Sequence, residues 1–326
     1  MRQLKVSQIW SVDDCKYFLI PQIIENIFKL KLIWTKPKDC DILIVGTYKK
    51  FGKIKKKLSI KYNFLNNEFI QNIEKKIFFR KNKPITLFYS RENERSNLEE
   101  TDFSVGTDFN YDEDKNYLRI PVWKDYCDWS EFGLSQPTNG KLNSKRFGEF
   151  YSINRLQKPS EQSFLTKPKK LCCFFSYINR PRDQFLKLIE SKFLIDCYGP
   201  AFDNKIKDHN NSNFIKLNIM KNYFSNFCPE NEIYPGWYTE KVPDAYLAST
   251  LPITWADQNI SYDFNKHAFI NLNDYKISEL NNLFDELKSD EFLKKFQNEP
   301  LITTKLNLDE EIVFTKKILN KLNVIS

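Results

Sequence analysis

Short, wholly apolar runs stopped by turn-forming or polar residues, and alternating with stretches of helical spacing, constrain this chain more than any other feature. Asp41–Val45 (DILIV) ends at Gly46, and Pro84–Tyr89 (PITLFY) delivers the polar cluster Ser90–Glu94 (SRENE). Leu171–Tyr177 (LCCFFSY) and Leu251–Trp255 (LPITW) have the same character. Strands apolar on both faces belong to parallel sheets covered by helices on each side. Further strands are predicted over 4–10, 102–106, 118–122, 193–198, 223–228 and 268–272, and helices over 20–28, 181–192, 239–249 and 309–322. Thr239 is placed to cap the third of these helices. Residues 124–168 are polar and without periodicity, which reads as a loop or linker. The expectation is α/β: two Rossmann-like domains facing across a cleft, 1–163 and 164–305, with a C-terminal helix, 306–326, packing back on the first.

Composition removes several function classes. The chain has 326 residues but only eight glycines, from which neither a G-x-G-x-x-G nor a G-x-x-x-x-G-K-[ST] cradle can be written. Its two histidines, His209 and His267, leave little for a multi-histidine metal site. Both read as structural or solvated. Seven cysteines with no C-x-x-C imply thiols in a reducing, cytoplasmic compartment. Neither a secretory leader nor 18 consecutive apolar residues is found.

The formal net charge is +8, and the excess lies upstream of residue 161, in large part in Lys49, Lys50, Lys53, Lys55, Lys56 and Lys57. A lysine-rich solvated face is the plain reading of Lys49–Lys57; peripheral contact with an anionic membrane face is the second. Nucleic acid is not expected as a partner, because no recognition module accompanies the lysines.

Three constellations could carry chemistry. Glu230-Asn231 followed by Trp237-Tyr238-Thr239-Glu240-Lys241 lies between a strand and a helix. Lys241 and the helix start suit phosphate, Glu240 can accept from a diol, and Trp237 can stack on a base or sugar. The same residues are compatible with an ordinary helix start and a solvated Glu-Lys pair. Arg180-Pro181-Arg182 sits at a second strand-to-helix junction, where arginine grips phosphate bidentately or simply faces solvent. Two such corners in one domain are compatible with a diphosphate site without glycine-rich loops. Glu92 and Glu94 share a face if residues 90–94 stay extended, and one could be a general base. The D-x-D matches at Asp39–Asp41 and Asp112–Asp114 read as turn and solvated loop.

Taken together, Tyr223–Asn231 (YFSNFCPEN), Tyr238–Tyr246 (YTEKVPDAY), Thr250–Trp255 (TLPITW) and Asp263–Asp274 (DFNKHAFINLND) resemble the signature of glycosyltransferase family 10, the α-1,3/4-fucosyltransferases, and most of all its bacterial members. Arg182 with Phe185, Phe88–Glu94 (FYSRENE) and Tyr117–Pro121 (YLRIP) extend the likeness upstream. The resemblance implies a GT-B fold, GDP-fucose as donor, a glycan acceptor and inversion without an obligatory metal or other cofactor. It assigns the diphosphate to Arg182 and Lys241, the ribose to Glu240, the donor-site lining to Asn231 and Trp237, and the general base to Glu92, with Glu94 next in line. Trp237 replaces the family's usual tyrosine, and Arg91 stands where bacterial relatives carry glycine. The implied acceptor is N-acetylglucosamine, α-1,3-linked, in lipopolysaccharide, capsule, protein-linked or free oligosaccharide. A GT-B enzyme using another nucleotide sugar, or a basic non-catalytic glycan- or nucleic-acid-binding protein, are the alternatives.

Overall fold

The computed structural model describes residues 2–9, 11, 15–46, 83–94, 101–109, 115–135, 151–160, 162–202 and 212–325. The lysine-rich segment 49–57, the acidic triplet 112–114 and His209 lie outside these residues. The chain divides into two compact units: Met1–Ile120, Trp129–Gln136 and Asn307–Ser326 form one, and Pro121–Asp128 with Pro137–Leu306 form the other.

Six strands make the sheet of the first unit: β1 (Gln3–Ile9), β2 (Lys31–Trp34), β3 (Ile42–Val45), β4 (Ile85–Tyr89), β5 (Phe103–Gly106) and β6 (Tyr117–Arg119). Their order is β2-β1-β3-β4-β5-β6, and every pair is parallel. The two apolar runs supply its centre, with all four residues of β3 buried. The helix Leu19–Asn26 buries Leu19, Ile20, Ile23 and Ile24, as its spacing predicts. The C-terminal helix Asp309–Lys321 belongs to this unit, set by the edge-on ring pair Phe103–Phe314 and the ion pair Lys321–Asp102 at 2.8 Å. Asp41 accepts the Lys5 amide at 2.8 Å, so its D-x-D match is part of a turn between strands.

The second unit begins with a short parallel pair, β7 (Cys127–Asp128) and β8 (Tyr151–Ser152). Its main sheet holds β9 (Lys170–Phe174), β10 (Leu194–Tyr198), β11 (Ser225–Phe227), β12 (Leu251–Thr254) and β13 (Ile270–Asn271). The order is β10-β9-β11-β12-β13, again all parallel. The order in which successive strands are added reverses between β9 and β11, β10 lying on one side of β9 and β11 on the other. In open parallel sheets this switch point leaves a crevice at the strand C-termini, where ligands bind. Phe224, Phe227, Leu251 and Ile253 are fully buried beneath it.

Two expectations need correction. Residues 124–168 are not featureless: they contain β7, β8 and the helix Ile153–Leu156, and 137–163 fall in the second unit. Polar side chains hid them, because their partners are distant: Arg155 donates to the Leu247 carbonyl at 2.9 Å and the Ile302 amide to the Leu156 carbonyl at 2.9 Å. Thr239 does not cap the helix that follows, which runs Lys241–Leu247 behind Glu240 with no side-chain cap. No helix among the described residues is long and apolar enough to cross a membrane.

One glycine is demanded by backbone approach. Gly199 ends β10 with φ of +104°, and a Cβ there would lie 2.4 Å from the Phe175 carbonyl oxygen. That carbonyl accepts the Ala201 amide at 3.1 Å and belongs to the loop leaving β9. Gly199→Ala is expected to cost more than about 1 kcal/mol of stability, read as a lowered urea midpoint at unchanged slope.

Candidate functional site

At the switch point two loops meet, one leaving β9 (175–181) and one leaving β11 (228–240). The second stays in register with its neighbour before it turns away. The Cys228 amide bonds to the Ile253 carbonyl at 2.8 Å, the Glu230 amide to the Trp255 carbonyl at 2.9 Å, and the Thr254 hydroxyl to the Cys228 carbonyl at 3.0 Å. Glu230 is thereby held at the crevice floor, 1% exposed.

Arg182 opens the helix Arg182–Glu190 and is itself only 2% exposed. Its Nε donates to the Glu230 carbonyl at 3.1 Å, Nη1 to the Tyr177 carbonyl at 3.3 Å, and Nη2 to the Pro229 carbonyl at 3.0 Å and to Asn231 Oδ1. Four of its five N–H donors are spent on protein. Asn179 Nδ2 adds a bond to the Asn231 carbonyl at 3.0 Å. In this state the guanidinium stitches the β9 and β11 loops together. It does not present an open fork, as the sequence reading supposed. Burial lowers its pKa, against the raising effect of the Glu230 charge.

The Glu230 carboxylate organises the other corner. Oε1 accepts the Thr239 amide at 2.8 Å and the Thr239 hydroxyl at 2.9 Å, and Oε2 accepts the Lys241 ammonium. Lys241 Nζ also donates to Thr239 Oγ1 at 2.9 Å and stands 5.9 Å from the Trp237 ring centroid. Trp237 is 3% exposed, so it floors the lysine and offers no open face for stacking. The helix Lys241–Leu247 has only seven residues, and the charge here comes from side chains.

Behind this corner lies a buried polar cluster that sequence reasoning missed. Lys216 Nζ pairs with Asp244 Oδ2 at 2.7 Å, with side chains 18% and 4% exposed. Tyr151 donates its hydroxyl to Asp244 Oδ1 and lies 3.4 Å from the Glu240 carbonyl oxygen. Burial would raise the Glu240 pKa, but the Lys241 and Lys216 charges overcome it and hold the carboxyl at about 2. Burial raises that of Asp244 despite Lys216. Glu240 is therefore an ionised acceptor across the physiological range, able to take bonds from a diol. No sequence mark distinguishes Lys216 from the other lysines of the chain.

The carboxylates of the first unit stand in a different setting. After β4, Ser90 is buried and its amide bonds to the Val105 carbonyl at 3.0 Å. The Glu92 amide donates to Ser90 Oγ at 3.2 Å and the Glu94 amide to the Glu92 carbonyl at 2.8 Å. These bonds curl residues 90–94 into a turn. The extended geometry that would align Glu92 with Glu94 is not adopted, and both side chains are half-buried. Arg91 lies over the Phe18 ring, 5.3 Å from its centroid. His267 is exposed in a loop.

The buried pair behind Glu240 has a measurable cost when broken. Lys216→Met is expected to destabilise the protein by about 3–5 kcal/mol, because it strands a buried carboxylate. Adding Asp244→Asn should recover part of the loss in urea denaturation.

The chain is similar to known proteins. The sequence profile of the glycosyltransferase family 10 (fucosyltransferase) C-terminal region matches residues 164–298. An α-(1,3)-fucosyltransferase of Helicobacter pylori is 29% identical over 208 residues, 58% of this chain and 41% of that relative. The match thus spans under half of that relative's length. A crystal structure of an α1,3-fucosyltransferase with GDP-fucose superposes with a TM-score of 0.66 at 21% identity, covering 98% of this chain and 91% of its own. One with GDP gives 0.65 at 21%, covering 98% and 91%. At that identity the likeness is one of fold, and the fold is GT-B.

Proposed function

We propose, from the match of residues 164–298 to the glycosyltransferase family 10 (fucosyltransferase) C-terminal region, that the protein is an inverting fucosyltransferase, moving L-fucose from GDP-fucose to a hydroxyl of a glycan. The observation that carries this reading is the convergence of Arg182, Glu230, Glu240 and Lys241 at the C-terminal ends of β9 and β11, where a parallel sheet accepts a nucleotide. The acceptor proposed is N-acetylglucosamine, with α-1,3 linkage; the relatives named as α1,3-fucosyltransferases support that choice.

Transfer breaks the bond between the anomeric carbon of fucose and a phosphate oxygen of GDP. Positive charge grows on the sugar while negative charge grows on the departing diphosphate. A cation fixed beside those oxygens stabilises the change without reorganising. Lys241 fills that role, with Arg182 holding the two loops in place and contributing its charge from behind. Glu240, ionised, accepts from the ribose hydroxyls, and Asn231 and Trp237 shape the wall. The acceptor hydroxyl attacks from the opposite face and gives its proton to Glu92, or to Glu94 if Glu92 is not the base.

Incubation with GDP-fucose and a glycan array, with product linkage and anomeric configuration read by NMR, tests the reading; no transfer to any acceptor would remove it. A thermal-shift screen of GDP, UDP and CDP should give stabilisation by GDP alone. Lys241→Ala is expected to weaken GDP by at least about tenfold in calorimetry, close to 1.4 kcal/mol. Glu92→Gln should lower kcat by about 10²-fold or more while leaving GDP affinity unchanged; wild-type turnover would move the base elsewhere.

A further inference from the structure

Glu230 touches both cations of the donor corner. It is 1% exposed, its carbonyl accepts Arg182 Nε at 3.1 Å, and its carboxylate holds Thr239 and Lys241. A buried carboxylate needs good partners: Thr239 meets Oε1 at 2.8 and 2.9 Å and lies 3.1 Å from Oε2, and Lys241 supplies the counter-charge at Oε2. The same contact that balances the carboxylate also ties the lysine. A free lysine ammonium swings on four rotatable carbons. Here it is tied at two points, to Glu230 and to Thr239 Oγ1 at 2.9 Å, over the Trp237 ring. Of its three N–H donors, one has no partner among the described residues. The Lys241 side chain is 18% exposed.

We infer that Glu230 is a positioning residue: with Thr239 it fixes the Lys241 ammonium before the donor arrives, leaving one N–H free for a diphosphate oxygen. The inference rests on the donor reading proposed above. The ordering of a long side chain costs roughly 0.5–1.5 kcal/mol when it must happen on binding, and a fixed lysine avoids that cost. The sign is not trivial. Glu230 is also an anion beside the site, and if it acted only as a competitor for Lys241, its neutralisation would tighten anion binding. The geometry favours the opposite outcome, because the amide of a glutamine would turn donors toward the ammonium and release it.

A double-mutant cycle on GDP affinity separates these outcomes. In calorimetry, Glu230→Gln is expected to weaken GDP at least fivefold in the wild-type background and less than twofold in the Lys241→Ala background. Thr239→Val leaves both charges in place and removes the bridging hydroxyl. It should weaken GDP in the same direction and likewise lose its effect when Lys241 is absent, which keeps the test informative if Glu230→Gln does not fold. Equal losses in both backgrounds would overturn the inference, since Glu230 would then act on the fold alone. Tighter GDP binding by Glu230→Gln would overturn it too, leaving Glu230 a competing anion. Failure of the wild-type protein to bind GDP appears before any variant is made, and would remove the donor reading and this inference together.

Discussion

A carboxylate taken out of water must be met by charge and hydrogen bonds, or it takes up a proton. Glu230 sits at 1% exposure one turn beyond a buried strand, and the arrangement of its loop follows from that requirement. Thr239 folds back to it, Lys241 closes over it, and Arg182 grips its carbonyl from the neighbouring strand's loop. Without the anion, the buried Arg182 and the half-buried Lys241 would stand at the C-terminal ends of β9 and β11 with one carboxylate fewer to balance them. The parallel sheet sets where this happens, and the carboxylate sets how it is held.

Much of the architecture was legible in the chain because buried parallel strands write themselves as apolar runs. β3, β4, β9 and β12 all fall where continuous apolar residues stand, and the helices at 19–26, 182–190 and 309–321 follow their spacing to within a few residues. What escaped is what long-range pairing decides. β2, four residues at a sheet edge, and the β7–β8 pair, two residues each, have too little pattern of their own. The division between units lies elsewhere than 163/164 for the same reason: Tyr151, Arg155 and Leu156 are bound by partners some ninety positions or more away.

The candidate site divides in the same way. Arg182, Asn231, Glu240 and Lys241 were nominated because a strand-to-helix corner with a cation has a local signature. What each side chain bonds to was not legible. Trp237 is packed beneath a lysine, Arg182 is spent on carbonyls, and Thr239 serves a carboxylate and leaves the helix uncapped. Lys216 and Asp244 pair across two helices, and no spacing rule links positions 28 residues apart. Residue type can nominate a site, whereas the allocation of donors and acceptors is a property of the packed fold.

The first unit is assembled from three separated stretches, the last of them Asn307–Ser326, while the second closes with Leu306. A ribosome delivers the chain in order, and domains fold as their residues become available. The β9–β13 sheet therefore has every strand in hand while the six-stranded sheet still waits for the helix that seals Phe103. On that order the unit that closes with Leu306 has its residues first, and the N-terminal sheet, though translated earlier, is sealed last.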